Sequence, residues 1–152
     1  MDDYLQAAYD EAARGRAEGG IPIGSVLVED GRIVARGNNR RVQDRNAILH
    51  AEMCCLQNAG RRRSYRGTTL YSTLMPCPLC AGAVVLFKIP RVVVGEDRNF
   101  AGAAAYLRDN GVEVTVIDDP ACVELLREFI ETNQTLWLED IAEDDEVPPL
   151  PA

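Results

Sequence analysis

"TTLYSTLMPCPLCAGAVVLFKIPRVVVGE" (residues 68–96) decides how this chain folds. Its opening, "TTLYSTL", is β-branched and aromatic, which is the composition of a strand. Pro76 interrupts the pattern, and "PLCAGAVVLFKI" (78–89) then reads as a buried helix. "RVVVGE" (91–96) is again a strand. A strand, a helix and a second strand in sequence imply a sheet covered by helices.

The same alternation continues on both sides. Residues 101–110 read as a helix stopped by Gly111, "VEVTVID" (112–118) as a strand and 120–131 as a helix. The connection 97–111 contains a helix of its own, so it suits a parallel crossover better than a hairpin. Toward the N-terminus, residues 3–18 place Leu5, Ala8, Tyr9, Ala12 and Ala13 on one helical face, ended by Gly19-Gly20. "SVLVE" (25–29) and "RIVARG" (32–37) flank Asp30-Gly31, a strong hairpin signal. A further helix is expected from His50 to Ala59, with Gly60 as its stop. No internal repeat is present. One domain over 1–141 is expected, followed by an acidic, proline-rich tail over 142–152, "AEDDEVPPLPA", expected to be disordered.

The chain has 152 residues, 47% hydrophobic and 26% charged, which suits a globular protein with a core of its own. No apolar run approaches the roughly 20 residues that span a bilayer. The N-terminal stretch is acidic and amphipathic, unlike a signal or transit peptide, so a cytoplasmic location and no membrane partner are expected. Five cysteines are an odd number, which speaks for reduced thiols rather than a disulfide framework. The net charge of −8 opposes binding to a polyanion. Against it stands one basic run, Arg61 to Arg66, read as a solvated loop. No nucleic-acid partner is expected; a small neutral or cationic ligand fits this charge better.

The only histidine, His50, lies in "ILHAEMCC" (48–55), and Cys77 and Cys80 form a C-x-x-C. Alone, that pair is a redox dithiol, half a zinc ribbon or two core thiols. A ribbon needs a second pair, and the chain has none. The redox reading leaves His50 and Glu52 without a task. A metal site uses all four. Cys77 and Cys80 in the first turn of a helix share a face, and the free N–H groups and positive dipole end there favour thiolates. Two thiolates and an imidazole suit a single zinc ion and leave one tetrahedral position open, the mark of a catalytic site. Glu52, two residues past the histidine, need not be a ligand; it can stand beside that open position as a proton acceptor. Cys54, Cys55 and Cys122 read as small buried hydrophobes.

"HAE" followed by "PCPLC" matches the H-x-E…P-C-x-x-C signature of the zinc-dependent cytidine deaminase superfamily. "EGGIPIGSVLVEDG", "RGNNRR", "LHAEMCCLQNAGR", "TTLYSTLMPCPLCAGAVV", "IPRVVVGEDRNF" and "LWLEDI" extend the likeness over roughly residues 3–142. Together they resemble the free-base branch, the fungal cytosine deaminases. The resemblance implies an α/β fold, a three-layer α/β/α sandwich around a mixed five-stranded sheet, and a homodimer. It implies one zinc per chain on His50, Cys77 and Cys80, with Glu52 moving the proton. It also implies that Asn39 and the backbone N–H of Ala51 bind a ring carbonyl, and that Asp140 accepts from a ring N–H that a nucleoside lacks. Phe100 and Trp137 would wall the ring, Ile23 and Leu74 would line the pocket, and Met75 would offer its backbone carbonyl to the exocyclic amine. Read without the resemblance, Asn39 caps a turn, Trp137 is a packing anchor and Asp140 is solvated charge.

The chain departs from that pattern at Met75 (serine in the family), Ala51 (glycine) and Val42 (phenylalanine), and the last would take an aromatic wall out of the pocket. The expected activity is hydrolytic deamination of a small amino-heterocycle, cytosine first, with isocytosine, creatinine, guanine or a pterin as rivals. The closing "LWLED" and the acidic charge speak against the tRNA-adenosine branch. Outside this class stand a dithiol redox protein on Cys77 and Cys80 and a non-catalytic zinc module; a three-ligand site beside Glu52 speaks against the module.

Overall fold

The computed structural model describes residues 1–143. Helix α1 (Asp3–Ala17) leads into strands β1 (Gly24–Glu29) and β2 (Arg32–Asn38). Asp30 and Gly31, at φ 52° and 74°, make the turn between them. Two residues with positive φ match the strand twist, which is why Asp-Gly works there. Then come α2 (Ala51–Ala59), β3 (Thr68–Leu74), α3 (Pro78–Leu86), β4 (Arg91–Glu96), α4 (Ala104–Asp109), β5 (Glu113–Val116), α5 (Pro120–Thr132) and α6 (Gln134–Asp140).

The five strands form one mixed sheet in the order β2-β1-β3-β4-β5. β1 runs antiparallel to β2 and β3, while β3, β4 and β5 run parallel, in line with the crossover that the 97–111 connection favoured for β4 and β5. The alternation of side chains sorts the two faces. Leu27, Leu70, Val92 and Val94 pack under α2, α3 and α4, whereas Val26, Val28 and Tyr71 pack under α1 and Cys122 of α5. The result is the expected three-layer α/β/α arrangement. Two glycines set how closely helices approach. A Cβ on Gly24 would stand 2.0 Å from the Ala8 carbonyl oxygen, and one on Gly37 would stand 2.3 Å from the Cys55 nitrogen. α1 and α2 therefore lie almost on the backbone of the sheet.

Several expectations are corrected. The run 78–89 is helical only to Leu86; Lys88 turns the chain at φ 62° and Ile89 returns to the core. It is not a buried helix either, since Leu86 is 71% and Leu79 44% exposed. An unbroken apolar run hides which face is covered. α4 starts at Ala104 rather than residue 101, because Gly102 at φ 63° and a bond from the Ala103 N–H to the Pro76 carbonyl shape a turn first. β5 is shorter than 112–118, and α6 is an element that periodicity did not outline. The basic run is a loop, but Arg62 is paired with Glu29 and stands over the Tyr65 ring, 5.5 Å from its centroid. The expected tail lies outside the described residues beyond Glu143.

Candidate active site

The parallel strand β3 ends at Leu74, and the chain crosses Met75 and Pro76 into α3. Cys77 is the N-cap of α3 and His50 the N-cap of α2, and neither side chain caps its helix. Both are free to face each other across the sheet edge. The Sγ atoms of Cys77 and Cys80 lie 3.3 and 3.7 Å from Nδ1 of His50. The three donor atoms all lie within 4.8 Å of one another. A tetrahedral zinc with ordinary bond lengths separates sulfur and nitrogen by about 3.5 Å, between the two distances seen. The donor set and its spacing fit zinc. The positive ends of two helices converge on it, which favours the thiolates.

Electrostatics within the cluster agree. Hydrogen bonds from Cys80 and then His50 hold the Cys77 thiol down to about 4. The bond to Cys77 raises His50 to about 9, and Cys77 pushes Cys80 well above its ordinary value. A metal held here takes the imidazole neutral and both thiols deprotonated, so its binding releases protons. The remaining thiols behave as core residues, with burial pushing Cys55 and Cys122 up to about 12.

Glu52 follows His50 by two positions in the first turn of α2 and is buried. Burial raises its pKa above the ordinary carboxylate value. The Ser72 hydroxyl donates to its Oε1 at 2.9 Å.

These groups open into one cavity. All the expected site residues line it except Cys80, which lies behind the cavity wall: Ile23, Asn39, His50, Ala51, Glu52, Leu74, Met75, Cys77, Phe100, Trp137 and Asp140, joined by Ile141. The rings of Phe100 and Trp137 meet edge to face, with centroids 6.2 Å apart and planes at 86°. Asn39 does make the turn contact, accepting from the Arg41 N–H at 2.9 Å, and it still lines the cavity because its Nδ2 donates to Asp140 Oδ2 at 3.1 Å. Asp140 is buried rather than solvated. Val42 is the exception. It is 38% exposed and lines an outer groove with Leu136 and Glu139, so the side chain present at this position forms no wall of the cavity.

Three polar residues at the site escaped the sequence reading. Ser72 falls on the β3 face shared by Leu70 and Leu74, and a polar residue at that position of an apolar alternation was the available signal. Glu96, fully buried, accepts from the N–H groups of Arg98 and Asn99 at 2.7 and 2.9 Å and from Asn99 Nδ2 at 2.8 Å, fixing the loop that carries Phe100. Arg41 donates to Asp140 Oδ1 at 2.8 Å. Neither of these last two had a local signal, because each acts on a residue brought near by the loop conformation or by the fold.

Residues 1–96 match the family model described as the cytidine and deoxycytidylate deaminase zinc-binding region. Cytosine deaminase from Candida albicans is 45% identical over 142 residues, covering 91% of this chain and 95% of that one. A tRNA-specific adenosine deaminase from Bacillus subtilis is 44% identical over 95 residues, covering 60% of this chain and 59% of its own. Among solved structures, a tRNA:A34 deaminase superposes with a TM-score of 0.73 at 27% identity, covering 83% of this chain and all of that one.

Proposed function

This chain belongs to the cytidine and deoxycytidylate deaminase family, and from that premise we propose that it hydrolyses the amino group of a free nucleobase, cytosine before other heterocycles, as part of nucleobase salvage. The overall reaction takes cytosine and water to uracil and ammonia. One observation carries the free-base reading: the carboxylate of Asp140, buried, lies in the same cavity as Glu52 and the His50–Cys77–Cys80 donors. An acceptor there suits a ring N–H and rejects a ring whose nitrogen bears a sugar. The longer likeness to the Candida albicans protein, 142 residues against 95 for the tRNA enzyme, supports the same choice.

His50, Cys77 and Cys80 would hold zinc, which when bound supplies the Lewis acidity that brings water's pKa toward about 7. Asn39 and the N–H of Ala51 grip the ring carbonyl. The Met75 carbonyl orients the exocyclic amine, and Phe100 and Trp137 clamp the ring faces. Ile23 and Leu74 exclude water. Glu52 takes a proton from the attacking water and delivers it to the ring nitrogen, where the product keeps it; it then carries the second proton, from the added hydroxyl, to the amine, so that the C–N bond breaks as the new carbonyl forms and ammonia leaves. We place the protein in the cytoplasm, on its cysteine usage, and assign it no nucleic-acid partner, on its charge.

We also propose a homodimer through the outer face of α3, where Leu79, Leu86 and Phe87 stand exposed on one side of the molecule. Among the described residues no helix is long and apolar enough to cross a membrane. Ammonia release from a panel of cytosine, isocytosine, creatinine, guanine and a pterin, with cytidine as comparison, tests the substrate. Cytosine should lead, and cytidine turning over as well as cytosine sinks the free-base reading.

A further inference from the structure

Asp140 has a partner that the reaction outlined above does not use. Arg41 Nε donates to its Oδ1 at 2.8 Å, and Arg41 Nη1 stands 3.5 Å from Glu139 Oε2. The Arg41 N–H donates to Asn39 Oδ1, and Asn39 Nδ2 returns to Asp140 Oδ2. A closed ring of contacts thus ties the loop after β2 to the end of α6. We infer that Arg41 is a specificity-determining positioning residue: it holds Asp140 as an acceptor for a ring N–H and closes the cavity against rings substituted at that nitrogen. This rests on the free-base reading of the site.

The argument is one of geometry. The Asp140 side chain is 4% exposed, and a buried carboxylate needs a countercharge. Arg41, at 18%, is the cation hydrogen-bonded to it at 2.8 Å, while His50 Nε2 stands farther off, 3.9 Å from the same Oδ1. The two face different spaces. Asp140 lines the catalytic cavity, whereas Arg41 lines the outer groove with Val42, Leu136 and Glu139. The ion pair is therefore the wall between them. A carboxylate has about four lone-pair sites, so with Arg41 and Asn39 in place it still accepts one ring N–H. A methyl or sugar on that nitrogen brings no donor, and the space beyond Asp140 is taken by the guanidinium.

The test compares cytosine with 1-methylcytosine in wild type, Arg41→Gln and Arg41→Lys, after zinc content and circular dichroism establish folding. Arg41→Gln should raise KM for cytosine by roughly ten- to a hundredfold, the range for losing a charged hydrogen-bond partner, while kcat stays within about threefold. The ratio of kcat/KM between the two substrates should fall at least about tenfold. Arg41→Lys cannot reach Asp140 and Glu139 together, so it should lower the ratio by a smaller factor, and it carries the test if the glutamine variant does not fold. Equal losses on both substrates, with the ratio unchanged in the folded variants, overturn the proposal and leave the free-base reading in place. Calorimetric binding of pyrimidin-2-one and 1-methylpyrimidin-2-one repeats the comparison without turnover. Wild type that shows no preference for the N–H ring in binding overturns the proposal. Wild type that shows it, loses it in Arg41→Gln, and yet does not deaminate cytosine supports the role of Arg41 and refutes cytosine as substrate.

Discussion

Ser72→Ala removes one oxygen atom from a fully buried strand position, and with it the donor to Glu52 Oε1 at 2.9 Å. A hydrogen bond to a charged group contributes about 1.5–3 kcal/mol. At about 1.4 kcal/mol per factor of ten, its loss corresponds to roughly ten- to a hundredfold in kcat if the bond holds Glu52 in its working rotamer. KM should change little, because Ser72 does not line the cavity. Stability suffers as well, by about 1–2 kcal/mol, or a melting point lower by roughly 2–8 °C. Ser25→Ala is the control. Ser25 pairs with Ser72 in register on the neighbouring strand, and its hydroxyl donates to the Tyr71 carbonyl at 2.6 Å rather than to Glu52. It should lose comparable stability and keep kcat within about twofold. Steady-state kinetics and thermal melts on both variants decide the matter. A Ser72→Ala enzyme with wild-type kcat, or a Ser25→Ala enzyme equally impaired, would refute the claim that Ser72 acts by positioning Glu52.

Glu52→Gln preserves shape and leaves the three donors intact, so elemental analysis should still find zinc while kcat falls at least about a hundredfold; near-wild-type turnover removes Glu52 from the proton path. Protein purified without added metal should carry one zinc per chain, and stripping it with a chelator should abolish ammonia release and lower the melting temperature, because zinc binds the assembled cluster more tightly than the unfolded chain. A metal-free protein with unchanged turnover contradicts the zinc assignment. Leu86→Glu places a charge on the exposed face of α3, where Leu86 is 71% exposed, and should convert a dimer to a monomer in light scattering; an unchanged mass moves the interface elsewhere.

What the amino-acid sequence by itself determined is local. Asp30-Gly31 specifies its turn because both residues tolerate positive φ. The β-branched runs at 68–74 and 91–96 specify strands, and Gly60 ends α2, because these preferences act within a few residues. The donor cluster was legible for the same reason: His50, Cys77 and Cys80 lie on two short stretches whose spacing carries the chemistry, with Glu52 two residues after the histidine. The tertiary structure decided everything that depends on distant segments. It turned the apolar run 78–89 into a helix with one open face, moved Val42 out of the cavity, and closed Arg41 onto Asp140 across 99 positions of chain. It also set Ser72 beneath Glu52. Such contacts leave no periodic trace. A polar side chain is read as solvated until the fold buries it against a partner, and only packing states which partner that is.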